Sequence, residues 1–287
     1  RPMAAARFRG TVSEGKIAAL DLRVASPGLR SSALRRAFHA QGDVADFFDK
    51  FGATGAMDQP YKIKHYRVTA CPVPRLLPVG WWRSVGESQN SFFHESAIDE
   101  LAHAAREDPL AMRLALLDHE PGRQVLAMVA KMSQWETPLP EGHGRGVAFA
   151  LSSGAATAQV IEVSRQGDAI KIEKVFAAVD VGVALDPRNI EAQVQSSSLF
   201  GLGAAMHGEI TVAQGKVAER NFDDYLLLPI NLAPDVTVAI YESEDEIFGV
   251  GESATPTSAP ALGNAIFAAT GRRIRDLPFG KSIKFVS

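Results

Sequence analysis

Residues 158–179 read AQVIEVSRQGDAIKIEKVFAAV and decide the fold class, because they predict a β-hairpin. Two runs rich in valine and isoleucine flank Arg165-Gln166-Gly167-Asp168, which has the composition of a turn. Shortly afterwards, Asp186-Pro187 places an N-cap residue before a proline at the first helical position. We therefore expect a helix from there to about Met206, directly after the hairpin.

The same mixture of strands and helices continues on both sides of this stretch. Turn signals and alternation predict strands at residues 4–12, 16–24, 61–68 and 236–242, with two short ones at 209–213 and 216–219. Caps and helical spacing predict helices at residues 91–106, 109–117 and 123–135, and a last one from Ser258 to Gly271. No regular βαβ period is present, so we predict an α+β fold of mixed sheets with packed helices. The Pro- and Gly-rich residues 136–145 predict a boundary between regions 1–140 and 141–287.

Composition excludes several classes of function. The chain has 287 residues, of which 46% are hydrophobic and 22% charged, so it can bury a core. A net charge of −3 gives no basic surface for nucleic acid, and no apolar run is long enough to span a membrane. Cys71 is the only cysteine, and the seven histidines are scattered. The chain is therefore expected to hold neither an iron–sulfur cluster nor a metal on its own side chains.

The glycine loop Gly249-Val250-Gly251-Glu252-Ser253 is the strongest candidate for chemistry. Glycines let a bulky ligand approach the backbone closely, and apolar neighbours would keep water away from Glu252, as suits a general base. The alternative is a glutamate in an ordinary surface turn. Ser253 leads into a helix N-terminus whose N–H groups could receive an anion. Capping of that helix by Thr257 or Ser258 is the alternative there.

Further stretches accompany this loop in a fixed order. They read WRSVGESQN (82–90), HESAIDELA (94–102), DPLAMRL (108–114), VDVG (179–182), IEAQV (190–194), GLGAA (201–205) and NFDDY (221–225). In this order and spacing they resemble the molybdenum-binding subunit of the xanthine dehydrogenase/aldehyde oxidase family, and isoquinoline 1-oxidoreductase β subunits in particular. The resemblance covers nearly the whole chain and corresponds to the C-terminal part of such a subunit. It implies that regions 1–140 and 141–287 both bind molybdopterin.

The resemblance implies a specific chemistry. Members hold molybdenum in a pyranopterin dithiolene, and bacterial ones use its cytosine dinucleotide form. They oxidise an aldehyde or a nitrogen heterocycle, with water as the source of oxygen. Glu252 matches the glutamate that acts as base on the Mo–OH group, so it is the predicted catalytic residue.

The resemblance also assigns binding residues. Arg83 matches the arginine of the substrate pocket, beside Trp82; an ion pair of Arg83 with Glu87 or Glu95 is the alternative. The predicted cofactor contacts are Gly86, Gln193, Gln195, Ser196, Gly251 and Ser253. Gln193 could equally be an ordinary glutamine on a helix surface. Gln195-Ser196-Ser197 departs from the Glu-Gly-Gly or Glu-Gly-Ala that the family commonly has at these positions.

Partners follow from the same resemblance. The family's subunit has an upstream half, which nothing in this sequence matches, and a small subunit carries its 2Fe-2S clusters. Electrons would then pass to a cytochrome or another acceptor, in either the bacterial cytoplasm or the periplasm. The alternative function is non-catalytic: a fragment or degenerate paralogue that serves assembly or binding. No Gly-x-Gly-x-x-Gly sequence opens a helix, so no nicotinamide or flavin site is expected.

Overall fold

The computed structural model describes residues 2–37, 49–74, 77–244 and 246–287, and within them it confirms the predicted α+β class. The strands are β1 (Ala5–Ser13), β2 (Lys16–Ser26), β3 (His65–Pro72), β4 (His143–Ser152), β5 (Ala155–Gln166), β6 (Ala169–Asp180), β7 (Val212–Ala213), β8 (Lys216–Val217), β9 (Val236–Tyr241) and β10 (Lys284–Val286). The helices are α1 (Leu29–Ala37), α2 (Glu87–Ala105), α3 (Pro109–Leu116), α4 (Glu120–Met132), α5 (Pro187–Met206) and α6 (Thr255–Thr270). None of these helices is long and apolar enough to cross a membrane.

Two larger sheets organise the described residues. In the first, β1 and β2, near the strands predicted at residues 4–12 and 16–24, form an antiparallel hairpin, and β3 runs parallel to β2. In the second, β4, β5 and β6 are antiparallel neighbours, and β5–β6 is the hairpin predicted at residues 158–179. Both β9 and β10 run parallel to β6, β10 beside residues 169–171 and β9 beside residues 175–180. The short strands β7 and β8 pair only with each other.

Helices cover both faces of the second sheet. On one face Leu126 of α4 joins a core with Phe149 of β4, and on the other Leu262 of α6 joins a core with Ala148. Strands that are buried on both faces lose the alternation of apolar and polar residues. This is why β4 is absent from the sequence prediction, which placed residues 136–145 in a linker. The division into regions 1–140 and 141–287 stays a prediction.

Glycines allow α6 to lie directly on β4. A Cβ atom at Gly146 would overlap the backbone of Ala265 and Ala261, so only glycine permits this approach. The same helix begins at Thr255 rather than at Ser258, and α2 begins at Glu87 rather than near Ser91. Both N-termini lack a side-chain cap, so the sequence carried no capping signal for either. By contrast α3 and α5 begin where their Asp-Pro pairs predict.

A buried ion pair joins α2 to α3. Arg113 donates from Nε to Glu95 Oε2 over 2.8 Å, with both side chains almost wholly buried. The same oxygen accepts the Phe149 N–H at 2.8 Å, so the carboxylate also fixes β4. Burial is the largest influence and would raise the pKa of Glu95, but Arg113 and His94 together outweigh it, and the pKa is held below its usual value.

We expect Arg113→Met to lower the free energy of unfolding by about 3–5 kcal/mol, because it leaves the Glu95 carboxylate buried without its partner. Chemical denaturation measures this loss. The pKa of Glu95 is lower in the folded than in the unfolded protein. The greater stability of the wild type over Arg113→Met should therefore be fully present above the unfolded-state pKa of Glu95. It should be lost as the pH falls through the folded-state pKa. The matched control is Arg275→Met, which breaks an exposed pair with Glu100 at 2.7 Å and should cost at most about 1 kcal/mol. Equal losses in the two variants would contradict this account.

Candidate active site

Two segments that are far apart in the sequence meet at the predicted glutamate. Arg83 donates from Nε to the Gly251 carbonyl over 2.8 Å, and its Nη2 donates to the same oxygen. Ser84 donates from its N–H to Glu252 Oε2 over 2.8 Å and from its hydroxyl to the Glu252 carbonyl over 2.7 Å. We call these four hydrogen bonds the clamp. They fix Oε2 of Glu252, whereas Oε1 accepts no hydrogen bond from the described residues.

The turn that carries Ser84 has a strained backbone. The Val85 N–H donates to the Trp82 carbonyl over 2.7 Å and closes the turn. Ser84 and Val85 have φ angles of 69° and 48°, which lie in the left-handed region. Residues other than glycine seldom adopt this region, and β-branched residues such as valine do so least of all. Each such residue costs on the order of 1–3 kcal/mol and persists only where its surroundings fix it. Here the two bonds from Ser84 to Glu252 do so.

Arg83 brings several of the predicted site residues together. Its Nη1 donates to Ser196 Oγ over 3.1 Å, and its Nη2 donates to Gln193 Oε1 over 3.5 Å. Both partners lie on α5, and the Phe200 ring of the same helix lies 5.5 Å from the guanidinium carbon. Gln193 is therefore partly buried against the site and is not an ordinary surface residue.

Neither ion pair proposed as the alternative for Arg83 is present. Glu95 binds Arg113, and Glu87 makes no ion pair with Arg83. Burial lowers the pKa of Arg83, and the nearby charge of Glu252 opposes this shift. An arginine remains cationic at neutral pH in either case, so Arg83 places a fixed positive charge beside Glu252.

Trp82 and Gly86 flank this arginine. The Trp82 ring packs against Phe200 with ring centroids 4.7 Å apart, which places it beside Arg83. Gly86 is the N-cap of α2, and a Cβ atom there would overlap the Phe51 carbonyl. The close approach of Phe51 thus requires glycine at position 86. A contact of either residue with a ligand stays a prediction.

Gln195 lies on a different side of α5. Its amide donates to the Val236 carbonyl over 3.2 Å and to Glu191 over 3.3 Å, so it is not brought to Arg83. Its role as a cofactor contact also stays a prediction. Arg83 instead contacts the next residue, Ser196, which belongs to the Gln-Ser-Ser sequence that departs from the family pattern.

Two long helices begin at the clamp. Helix α2 starts two residues after Val85, and α6 starts three residues after Glu252. The N-caps, Gly86 and Ala254, supply no side-chain hydrogen bond. An uncapped helix N-terminus carries a partial positive charge, which favours anions. At α6 the Thr255 N–H already donates to the Glu252 carbonyl over 3.1 Å and Pro256 has no N–H, so free N–H groups are better provided by α2.

Ser253 separates the glutamate from α6. Its side chain is fully buried, and its hydroxyl has no hydrogen-bond partner among the described residues. The alternative of capping by Thr257 or Ser258 is wrong, because both hydroxyls lie inside the helix and donate back to the Ala254 carbonyl. A buried hydroxyl without a partner is costly, so a ligand that bound it would remove that cost.

A cavity of about 290 Å³ lies beside Glu252 and is also lined by Glu87, Asp58 and Lys50. Burial raises the pKa of Glu87 to about 7; the charges of Asp58 and Glu252 add to this, and a hydrogen bond from Ser152 opposes it. In the sequence, Glu87 stands out only as a possible partner for Arg83. Its hydrogen bond with Ser152, 65 residues away, is one that no local pattern reveals. An acidic residue directly after Gly86 is the only signal that the sequence offers.

These groups fit an anionic cofactor that brings its own metal. Arg83, the two helix N-termini and the unpartnered Ser253 hydroxyl are donors suited to oxygen anions. A Cβ atom at Gly249 would meet nothing within 4 Å, so the loop leaves open space. In the described part of the chain, no group of three or more His, Cys, Asp or Glu residues could hold a metal ion. Protein side chains would thus contact the cofactor and not the metal.

Comparison with known proteins agrees with this fit. Two families described as molybdopterin cofactor-binding domains match the chain, one at residues 84–234 and the other at residues 9–116. The fold resembles that of quinoline 2-oxidoreductase from Pseudomonas putida 86, with a TM-score of 0.77 at 12% identity over 96% of this chain and 61% of that one.

Curated relatives extend the comparison. Isoquinoline 1-oxidoreductase subunit beta of Brevundimonas diminuta is 32% identical over 76% of this chain and 29% of its own length. The membrane-bound aldehyde dehydrogenase (pyrroloquinoline-quinone) of Gluconacetobacter polyoxogenes is 29% identical over 92% of this chain and 37% of its own length. The chain thus spans little more than a third, or less, of these relatives. The matches to residues 84–234 and 9–116 identify it as a member of the molybdopterin cofactor-binding domain family, of the type found in xanthine dehydrogenase-like molybdenum subunits.

Proposed function

We propose that the chain supplies the catalytic base of a molybdenum-dependent oxidoreductase that oxidises an aldehyde or a nitrogen heterocycle with water as the oxygen source. The clamp carries this proposal, because it holds Glu252 at a cavity beside two uncapped helix N-termini. Relatives named for isoquinoline and aldehyde oxidation support the two substrate classes. Family membership supports an oxidoreductase that binds molybdopterin.

Glu252 would move the proton in this reaction. When bound, molybdopterin supplies a metal that accepts electrons from the substrate and activates water. Oε2 of Glu252 is occupied by the Ser84 N–H, so Oε1 would take the proton of the water that provides the oxygen atom. A positioned carboxylate contributes roughly 10²–10⁴-fold to such a proton transfer.

Arg83 would position both the loop and a ligand. A guanidinium has five N–H donors, and the contacts to Gly251, Ser196 and Gln193 use four of them. One N–H on Nη1 remains for an oxygen atom of the substrate or cofactor. The Trp82 ring would form an apolar wall beside it. We propose Gly86, Gln193, Gln195, Ser196, Gly251 and Ser253 as cofactor contacts.

Partner chains complete the proposal. A single cysteine cannot bind an iron–sulfur cluster, so electrons would leave through a small subunit with 2Fe-2S clusters. A cytochrome or another acceptor would receive them. We propose that the cofactor is the cytosine dinucleotide form. The relatives are much longer than this chain, so an upstream half of the molybdenum subunit would supply the remaining contacts.

The alternative function is non-catalytic, in assembly or binding. The Gln195 amide, which donates to Val236 and Glu191, favours it, because this predicted contact is engaged away from Arg83. In that case Glu252 would serve only to fix the loop. Turnover of variants at Glu252 separates the two functions.

We expect Arg83→Lys to loosen the glycine loop, because a single ammonium cannot reach Gly251 and Ser196 together. Hydrogen exchange of the backbone amides of residues 251–254 should become roughly tenfold faster, equivalent to about 1.4 kcal/mol, the size of one net hydrogen bond. Arg275→Lys is the control, since Arg275 pairs with Glu100 on the surface. Unchanged exchange in Arg83→Lys would show that the clamp does not hold the loop.

For Glu252→Gln we predict a loss of roughly 10²–10⁴-fold in turnover by the assembled, molybdenum-loaded enzyme, because the amide cannot accept the proton. Molybdenum content, measured by elemental mass spectrometry, should stay unchanged. Glu246→Gln makes the same chemical change at an exposed glutamate of the same segment and should leave turnover intact. Full turnover in Glu252→Gln would favour the non-catalytic alternative.

A further inference from the structure

Glu87 is a second carboxylate in the cavity that Glu252 lines. It is the first residue of α2, and the strained turn at Ser84 and Val85 leads directly into it. One turn therefore fixes both carboxylates: it binds Glu252 through the Ser84 N–H and starts the helix that bears Glu87. Nothing in the proposed reaction yet uses Glu87.

The tip of the β4–β5 hairpin holds Glu87 in place. The Ser152 hydroxyl donates to its Oε2, and the Ser153 backbone N–H also favours the charged form. Ser152 is fully buried, so this contact is shielded from solvent. The carboxylate therefore has a fixed position on the wall of the cavity, and is not a flexible surface group.

The charged groups that face Glu87 come from two other segments. Asp58 and Lys50 lie in the segment before β3, and Glu252 lies in the glycine loop. Both carboxylates raise the pKa of Glu87, after burial as the largest cause, and its value of about 7 leaves it able to take and release a proton at neutral pH.

We propose that Glu87 is the proton relay of this site, receiving the proton that Glu252 removes and passing it to solvent. This rests on the proposed role of Glu252 as base. A cavity of about 290 Å³ is large enough for several water molecules, which could connect the two carboxylates. Lys50 and Asp58 are exposed, so the cavity reaches solvent.

The step balances as a proton transfer alone. Neutral Glu252 gives its proton to water, that water gives one to the Glu87 carboxylate, and Glu252 returns to its charged form. Glu87 then releases the proton at the solvent side and becomes charged again. Glu252 is thereby ready for the next turnover.

Infrared spectroscopy of the chain tests the paired carboxylates without any cofactor. The C=O band of a protonated carboxyl group should titrate near pH 7 and disappear in Glu87→Gln. Its midpoint should move to lower pH in Glu252→Gln, which removes a negative neighbour, and to higher pH in Ser152→Ala, which removes a donor to the charged form. A midpoint that stays fixed in Glu252→Gln would overturn the proposal.

Kinetics of the loaded enzyme test the relay itself. Glu87→Gln should lower turnover by on the order of tenfold and change its pH profile near neutrality, a smaller effect than the roughly 10²–10⁴ of a direct base. Glu87→Asp, which keeps a carboxylate, should recover most of the loss. If Glu252→Gln abolishes turnover but Glu87→Gln leaves rate and pH profile unchanged, the relay is wrong and the base stands. If Glu252→Gln keeps full turnover, the proposed function itself fails.

Discussion

The hydrogen bonds from the turn at Arg83 and Ser84 to the loop at Gly251 and Glu252 are the constraint on which the site depends. They join segments separated by 168 residues in the sequence. They also hold Ser84 and Val85 in a left-handed backbone that costs free energy. Strain of this kind persists only where surrounding contacts hold the backbone in place. Here these contacts fix Glu252 and leave its Oε1 without a hydrogen bond from the described residues.

The rest of the fold supports this clamp. The second sheet is covered on both faces, and glycines in β4 let α6 lie against it, which fixes where α6 begins. The ion pair of Glu95 with Arg113 joins α2 to α3, and the Phe149 N–H joins it to β4, which fixes the position of α2. With both helices fixed, their uncapped N-termini meet at the glutamate and make the site favourable to an anion.

Local signals were enough to predict much of the fold. The Asp-Pro pairs start α3 and α5 as predicted, because capping is decided by residues within one turn. The starts of α2 and α6 and the whole of β4 were missed, since they depend on packing between distant segments. In the site, the sequence singled out Arg83, Gln193, Ser196, Gly251 and Glu252, which the structure brings together. It could not identify Glu87 as a functional group, because Ser152 and Asp58 create its environment from elsewhere in the chain.

The central claim is that the clamped Glu252 faces the metal of a bound molybdopterin. An anomalous difference map, recorded at the molybdenum absorption edge from crystals of the assembled enzyme, tests it directly. The account predicts one metal peak in the open space beside the glycine loop, within reach of Glu252 Oε1 directly or through one water molecule. A metal peak remote from Glu252, or a fully assembled enzyme without molybdenum, would contradict it.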